Sequence, residues 1–166
     1  MLRKTYIVLA FTLFLFGLTV IAVPPYVFPH DSELAKHHLE ASSSFNPTVI
    51  TRVHTNQKVV ALTFDDGPDP CYTLEILEIL KKYQVTATFF VVGEDALLNP
   101  EIITAQVHAG HEVENHSFTH PDLLKNTDLT INEEILWCQE TIAKLSGREP
   151  LYFRPPRGLY NLDIVK

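Results

Sequence analysis

Residues 59–68 read Val59-Val60-Ala61-Leu62-Thr63-Phe64-Asp65-Asp66-Gly67-Pro68, a short apolar, β-branched run that ends on two adjacent carboxylates and a turn. By length and flanks, Val59 to Phe64 is predicted to be a buried strand. A strand that hands over to Asp-Asp-Gly-Pro places charge where the chain leaves the core, and in α/β proteins the loops at that end of the strands carry the chemistry.

Downstream, the pattern alternates. Thr73 to Tyr83 sets Leu74, Leu77 and Leu80, with Ile76, Ile79 and Tyr83, along one broad helical face. Thr86 to Val92 returns to a strand pattern closed by Gly93. Pro100 to Ala109 reads as a helix, with Pro100 in its first turn and Gly110 just past its end. His111 to Asn115 is a third strand. Thr130-Ile131-Asn132-Glu133 has the spacing of a capping box, and Ile131, Ile135, Cys138, Ile142 and Leu145 follow at helical steps up to Gly147. Leu151 to Phe153 makes a fourth strand. This alternation predicts an α/β fold, a parallel sheet with helices outside it.

Three polar motifs fall after predicted strands. Asp65 and Asp66 would diverge to opposite faces within a regular strand, but at a strand end turning into Gly67-Pro68 both can reach one pocket. Carboxylates that close repel unless a cation sits between or beside them, and a divalent metal meets that need with one Asp as ligand and one as base. His116 and His120, in Asn115-His116-Ser117-Phe118-Thr119-His120, are spaced to share one side of a helical turn. With one carboxylate they form the two-His, one-Asp set of open hydrolytic zinc sites. Arg154 precedes Pro155 and Pro156, which hold the backbone extended and the guanidinium in place, so that it can orient Asp65 as a base. Each motif has a bland reading: a polar turn, a surface histidine pair, a solvated arginine. Their joint placement on one rim argues for a metal-assisted hydrolase.

Taken together, Thr63-Phe64-Asp65-Asp66-Gly67-Pro68, Asn115 to His120 and Phe153-Arg154-Pro155-Pro156 resemble the first three motifs of the polysaccharide deacetylases, carbohydrate esterase family 4 or the NodB homology domain. The resemblance runs from about Val59 to the last residue. It implies a distorted (β/α) barrel and hydrolysis of N-acetyl groups from glycans. By position, Asp65 resembles the general base, and Asp66, His116 and His120 resemble the ligands of a divalent metal, zinc or else cobalt or another divalent ion. Arg154 resembles the residue that holds the base, and the backbone amide of Arg157 an oxyanion donor.

The resemblance is partial. A (β/α) barrel typically needs over ~200 residues, and Lys58 to Lys166 supplies about half of that. The family's later motifs, including the histidine that acts as general acid, have no counterpart, and His111 and Trp137 lie too early in the chain to be their residues. The expectation is an incomplete barrel, from a truncated gene product or a partial sequence, with turnover impaired by the truncation. The alternative is a catalytically dead remnant that binds metal or glycan. Glu114 stands where the family usually has a small residue, and is expected to crowd the site or face solvent. Arg157 stands where tyrosine is common. An added cation suits a substrate bearing a carboxylate, such as muramic acid, which favours peptidoglycan over chitin-like oligomers.

Outside the motifs, Arg3 and Lys4 precede an uncharged apolar stretch from Thr5 to Val23 that Pro24 and Pro25 break. Residues 1–28 are therefore read as a signal peptide or N-terminal membrane anchor, with the rest outside the cytoplasm, or secreted if cleaved near Ala22. Residues 29–57, with Ser42-Ser43-Ser44, Pro47 and scattered histidines, read as a stalk, and 58–166 as the partial domain. The net charge of −7 includes Arg3 and Lys4, so the exported part is more acidic still and unsuited to nucleic acid. Cys71 and Cys138 supply no disulfide framework. A phosphotransfer receiver would have no use for the histidine pair, and a glycosidase would need two carboxylates flanking the bond rather than a pair committed to metal. The expected partners are an N-acetylated polysaccharide and, through the N-terminal segment, a membrane.

Overall fold

The computed structural model of the chain describes residues 49–162, 164 and 165. The proposed targeting segment, most of the stalk, and His30, His37 and His38 lie outside the described residues. Residues 49–57, including His54, are exposed and without helix or strand. Among the described residues no helix is long and apolar enough to cross a membrane.

The elements alternate as the hydrophobic periods require. Strand β1 (Thr63–Gly67) leads to α1 (Tyr72–Tyr83), β2 (Thr88–Val91), α2 (Gly93–Leu98), α3 (Pro100–His108) and β3 (Glu112–Asn115). A 3-10 turn at Leu123–Lys125 precedes α4 (Asp128–Ser146), and a second lies at Pro156–Gly158. The sheet order is β1-β2-β3, all parallel, with Thr63, Thr88 and Glu112 in register and Phe64, Phe89 and Val113 beside them. Phe153 adds a parallel bridge to Asn115, so the predicted fourth strand is reduced to a single pairing. A parallel sheet with helices between its strands is the arrangement expected of part of a (β/α) barrel.

Local chemistry sets the helix ends. The Asp69 carboxylate accepts the Cys71 and Tyr72 amides at 2.8 Å each and so starts α1, while Lys81 and Lys82 sit at its negative end. Pro100 occupies the first turn of α3, where its missing N–H costs nothing. Helix α4 begins one turn earlier than the Thr130 capping box predicts: Thr127 is the cap, its hydroxyl accepting the Thr130 amide at 3.3 Å, and Thr130 lies inside the helix. Gly147, at φ 71°, closes it in the left-handed conformation that glycine adopts at no steric cost.

The core lies between sheet and helices. Phe89 and Val91 from β2 and Val113 from β3 pack with Ala96, Ile102, Ile103, Ile131, Cys138 and Ile142, all buried. Each large aliphatic side chain removed from water there contributes about 1.5–3 kcal/mol. Val59 and Val60 depart from the predicted buried strand, being 62% and 93% exposed. The pairing of β1 with β2 starts only at Thr63 and Thr88, so the run before Thr63 has no strand beside it, and the strand extends instead through Asp65 and Asp66. Helix α2 is not anticipated by the sequence reading, which passes from Gly93 to Pro100 without an element.

Candidate active site

The rim of the sheet is assembled by backbone bonds from each polar motif to its neighbour. The His116 amide donates to the Val91 carbonyl at 3.0 Å, and the Arg154 amide donates to the Asn115 carbonyl at 2.9 Å. The second and third motifs are thus stitched to the ends of β2 and β3. The first is re-aimed within β1: Asp66 has φ 64°, and the register with β2 slips between Phe64 and Gly67. Such a bulge breaks strict strand alternation, so adjacent residues can serve one rim. The left-handed backbone of Asp66 costs energy for a residue with a Cβ, and such conformations gather at functional sites.

The two carboxylates then take different partners. Asp66 Oδ1 lies 3.2 Å from His116 Nε2 and 3.1 Å from His120 Nε2. Ligand atoms of the three residues fall within 4.8 Å of one another, a spacing that can hold a metal ion. Asp65 instead pairs with Arg154, whose Nη1 donates to its Oδ1 and also, at 3.0 Å, to Thr63 Oγ1. The guanidinium carbon stacks 3.9 Å above the Phe90 ring, a contact that uses the planar face of arginine while its edge holds Asp65.

The donor set fits a divalent cation on a specific ground. His116 is buried, and its Nδ1 lies 2.7 Å from the Arg154 carbonyl, to which it donates. A neutral ring so bonded carries its free lone pair on Nε2, facing the Asp66 carboxylate. Lone pair and carboxylate attract only across a cation, and a second-shell carbonyl on the far ring nitrogen is the usual partner of a metal-bound histidine. Two imidazole nitrogens and one carboxylate oxygen suit zinc, with cobalt or another divalent ion as substitutes. The buried Cys138 thiol donates to the Val91 carbonyl and is pushed up to about 12 by burial, so it takes no part as a thiolate ligand. Cys71 and Cys138 are both free.

The second motif is not the helical turn its spacing implies. Residues 116–120 form a loop in which Ser117 (φ 68°) and His120 (φ 56°) are left-handed, and the chain reversal brings the imidazole centroids to 5.0 Å. Asn115 Oδ1 accepts the Ser117 amide at 2.9 Å, and Ser117 Oγ accepts the His120 amide at 3.1 Å. From α4, the Glu134 carboxylate accepts the Phe118 amide, the Thr119 amide and the Thr119 hydroxyl at 2.9, 2.7 and 2.7 Å. The sequence reading missed Glu134, Thr63 and Phe90. Glu134 carried a signal, standing three residues after Ile131 and four before Cys138 on a stripe otherwise apolar, where a carboxylate must find donors.

Glu114 neither crowds the site nor faces solvent. It is buried, and its Oε2 accepts the Leu151 and Tyr152 amides at 2.7 Å each, tying the chain before Phe153 to β3. Burial holds its carboxyl above the ordinary glutamate value despite those bonds. His111 is also structural: it is buried, takes the Ala87 amide on Nδ1, packs edge-on against Phe89, and has its basicity lowered by burial. Trp137 packs edge-on against Phe118. Arg157, at φ 59°, keeps its side chain largely exposed, with Nη1 3.9 Å from Asp122 Oδ2. Lys125 sits 2.9 Å from that same oxygen and, hydrogen-bonded to it, holds the Asp122 carboxyl below its usual range.

Comparison with known proteins agrees with this geometry. The sequence profile of the polysaccharide deacetylases matches residues 52–166. The chain is 40% identical over 114 residues to the peptidoglycan-N-acetylmuramic acid deacetylase PdaA of Bacillus subtilis, covering 68% of this chain and 43% of that protein. It is 46% identical over 112 residues to PdaC of the same organism, a protein of the same description, covering 68% of this chain and 24% of that one. The solved structure of Bacillus subtilis PdaC superposes with a TM-score of 0.64 at 45% identity, covering 68% of this chain and 55% of that one. The chain spans less than half the length of these two curated relatives. With motifs, sheet and profile in agreement over the described domain, the chain belongs to the polysaccharide deacetylase family.

Proposed function

We propose that the protein hydrolyses N-acetyl groups from an extracellular glycan, peptidoglycan in preference to chitin-like oligomers, with Asp66, His116 and His120 holding a divalent cation. The observation that carries this reading is the division of the aspartate pair: one carboxylate faces two imidazole nitrogens, and its neighbour is clamped by an arginine. A cation held there supplies Lewis acidity toward an amide carbonyl and toward water.

The chain's own residues do the rest. Asp65, oriented by Arg154, accepts the proton of the attacking water, a role that contributes typically 10²- to 10⁴-fold. The Arg157 amide N–H has no acceptor among the described residues and is free to donate to the oxygen that becomes negative. Water adds to the carbonyl carbon, the C–N bond breaks as the departing nitrogen takes a proton, returned by Asp65 or supplied by solvent, and acetate and a free amine on the sugar remain. The exposed Arg157 guanidinium suits a carboxylate on the substrate, which muramic acid carries and chitin lacks. The relatives PdaA and PdaC, named for N-acetylmuramic acid, support that choice. The basic, then apolar N-terminus would export the domain and either anchor it to the membrane or be removed near Ala22.

The test is acetate release by the zinc-loaded chain from N-acetylated peptidoglycan and from chitooligosaccharides, before and after chelation. Release from peptidoglycan that chelation abolishes and zinc or cobalt restores is expected. Unchanged release after chelation would overturn the metal-dependent reading. Zinc and glycan binding without release would assign the non-catalytic alternative.

A further inference from the structure

We propose that Glu134 is a positioning residue for the metal site, holding the His116–His120 loop in the one shape that directs both imidazoles at Asp66. This rests on the metal-site reading above. Past the His116 amide, which is bonded to the Val91 carbonyl, the loop has no strand ladder to hold it, and its five residues carry two left-handed positions. It is gripped from two sides. Its carbonyls at Ser117 and Phe118 accept the Gly93 and Glu94 amides at 3.1 and 2.9 Å, which are the first amides of α2. Its amides at Phe118 and Thr119, and the Thr119 hydroxyl, all go to Glu134.

The chemistry explains why an acid stands there. Two N–H groups and one O–H converge from one direction, and a carboxylate is the side chain that only accepts, with both oxygens open to several donors. Glu134 is itself 6% exposed, so no water competes freely for those donors. Helix α4 also ties down the loop's neighbours. Asn115 Nδ2 donates to the Ile135 carbonyl at 2.9 Å and to Gln139 Oε1 at 3.3 Å, and Gln139 Nε2 donates to the Pro150 carbonyl at 2.8 Å. The helix thereby holds Asn115, just before the metal motif, and Pro150, before the arginine motif, and Glu134 is its hydrogen-bonding contact with the ligand loop, beside the edge-on packing of Trp137 on Phe118.

The experiment is zinc titration of the metal-free full chain against a competing chelator, with thermal unfolding of the metal-free protein in parallel, for Glu134→Gln, Glu134→Asp, Glu134→Ala and the control Glu133→Gln. Glutamine can accept both amides on Oε1 and donate to Thr119 Oγ1 from Nε2, so Glu134→Gln should stay within a few-fold of wild type. Glu134→Asp keeps the charge and loses the reach, and it should weaken zinc binding about 10- to 100-fold, as should Glu134→Ala if it folds. Glu133→Gln, with the same change of charge one residue away, should bind as wild type. Zinc affinity of Glu134→Asp equal to wild type would overturn the proposal while leaving the metal site standing. Equal losses in Glu133→Gln and Glu134→Gln would also overturn it, since charge rather than reach would then decide. If wild type takes up no zinc, the metal-site reading fails and this one with it.

Discussion

The Arg154 carbonyl oxygen lies 2.7 Å from His116 Nδ1, while the side chain of the same arginine grips Asp65. One residue therefore touches both halves of the site, its carbonyl meeting the ring of the proposed ligand His116 and its guanidinium the proposed base Asp65. Strand geometry makes this possible, because the Arg154 amide is bonded to the Asn115 carbonyl immediately before His116. The two functions can be separated by substitution, since a side-chain change leaves the carbonyl in place.

Arg154→Ala should lower kcat about 10²- to 10³-fold with zinc affinity changed little, because Asp65 loses its orienting partner while the His116 carbonyl contact persists. Arg154→Lys should recover only part, as a point charge cannot both stack on Phe90 and bridge Thr63 with Asp65. Acetate release and zinc titration on the same preparations check this. Equal loss of metal and of turnover would show that the two functions do not separate.

Metal should stabilise the fold, because the ligands come from the ends of β1 and β3 and bind in the folded state alone. At zinc one hundred times its dissociation constant the gain is about 2.7 kcal/mol. The unfolding midpoint of wild type should rise on adding zinc, and that of Asp66→Ala should not. Calorimetry with and without chelator reads both, and an equal rise in Asp66→Ala would remove Asp66 from the ligand set.

Much of this site was legible in residue order alone, and the reasons are physical. Asp65, Asp66 and Arg154 fall where an apolar run gives way to polar residues, His116 and His120 follow the short third strand, and a parallel sheet gathers strand ends on one rim. The bulge at Asp66 and the left-handed Ser117 and His120 were not legible, because these residues have no glycine-like tolerance to advertise positive φ. The Thr127 cap was hidden by the better-matched spacing at Thr130, whose hydroxyl instead lies 3.0 Å from that of Thr127 inside the first turn. The exposure of Val59 and Val60 was hidden as well, since β-branched residues mark strand propensity without saying whether a neighbouring strand reaches them.

Gly93 should tolerate no side chain. A Cβ there would stand 2.4 Å from Phe118 Cδ2 and 3.2 Å from the Cys138 backbone, between the ligand loop and α4. Gly93→Ala should cost about 1–3 kcal/mol as an overpacked site and weaken zinc binding by displacing Phe118. Adding Phe118→Leu, which opens the space, should recover part of both. Wild-type zinc affinity in Gly93→Ala would show that the loop absorbs the shift without moving its histidines.

Glu114 should make stability depend on pH in a defined direction. Its folded-state carboxyl lies above the ordinary value because burial disfavours the charge, so the folded state holds the proton more tightly than the unfolded chain. Stability from this group is therefore greatest below the unfolded value of about 4.3 and falls as pH rises to the raised folded value, above which the penalty is constant. Glu114→Gln keeps an acceptor for the Leu151 and Tyr152 amides and has no charge to bury. Its midpoint relative to wild type should rise as pH climbs above the unfolded value of about 4.3 and level off once pH passes the raised folded value, and a difference that shrank with rising pH would contradict the assignment. Glu114→Ala, which strands two amides, should lose about 1–3 kcal/mol at every pH.

Arg157 offers a test of substrate choice that leaves its backbone amide, the proposed oxyanion donor, in place. Its guanidinium is 57% exposed and 3.9 Å from Asp122, whose carboxylate Lys125 already engages at 2.9 Å, so the arginine is loosely held and open to a carboxylate from outside. An exposed ion pair is worth about 0.2–1 kcal/mol. Arg157→Tyr should therefore lower kcat/KM on a muramic-acid-containing glycan by roughly 2- to 5-fold, with little change on a glucosamine oligomer. Raising the salt should erode the wild-type preference and leave the variant unaffected, because the attraction is between exposed charges. Equal losses on both glycans would instead show that the residue acts through the φ 59° backbone of the turn rather than through its charge.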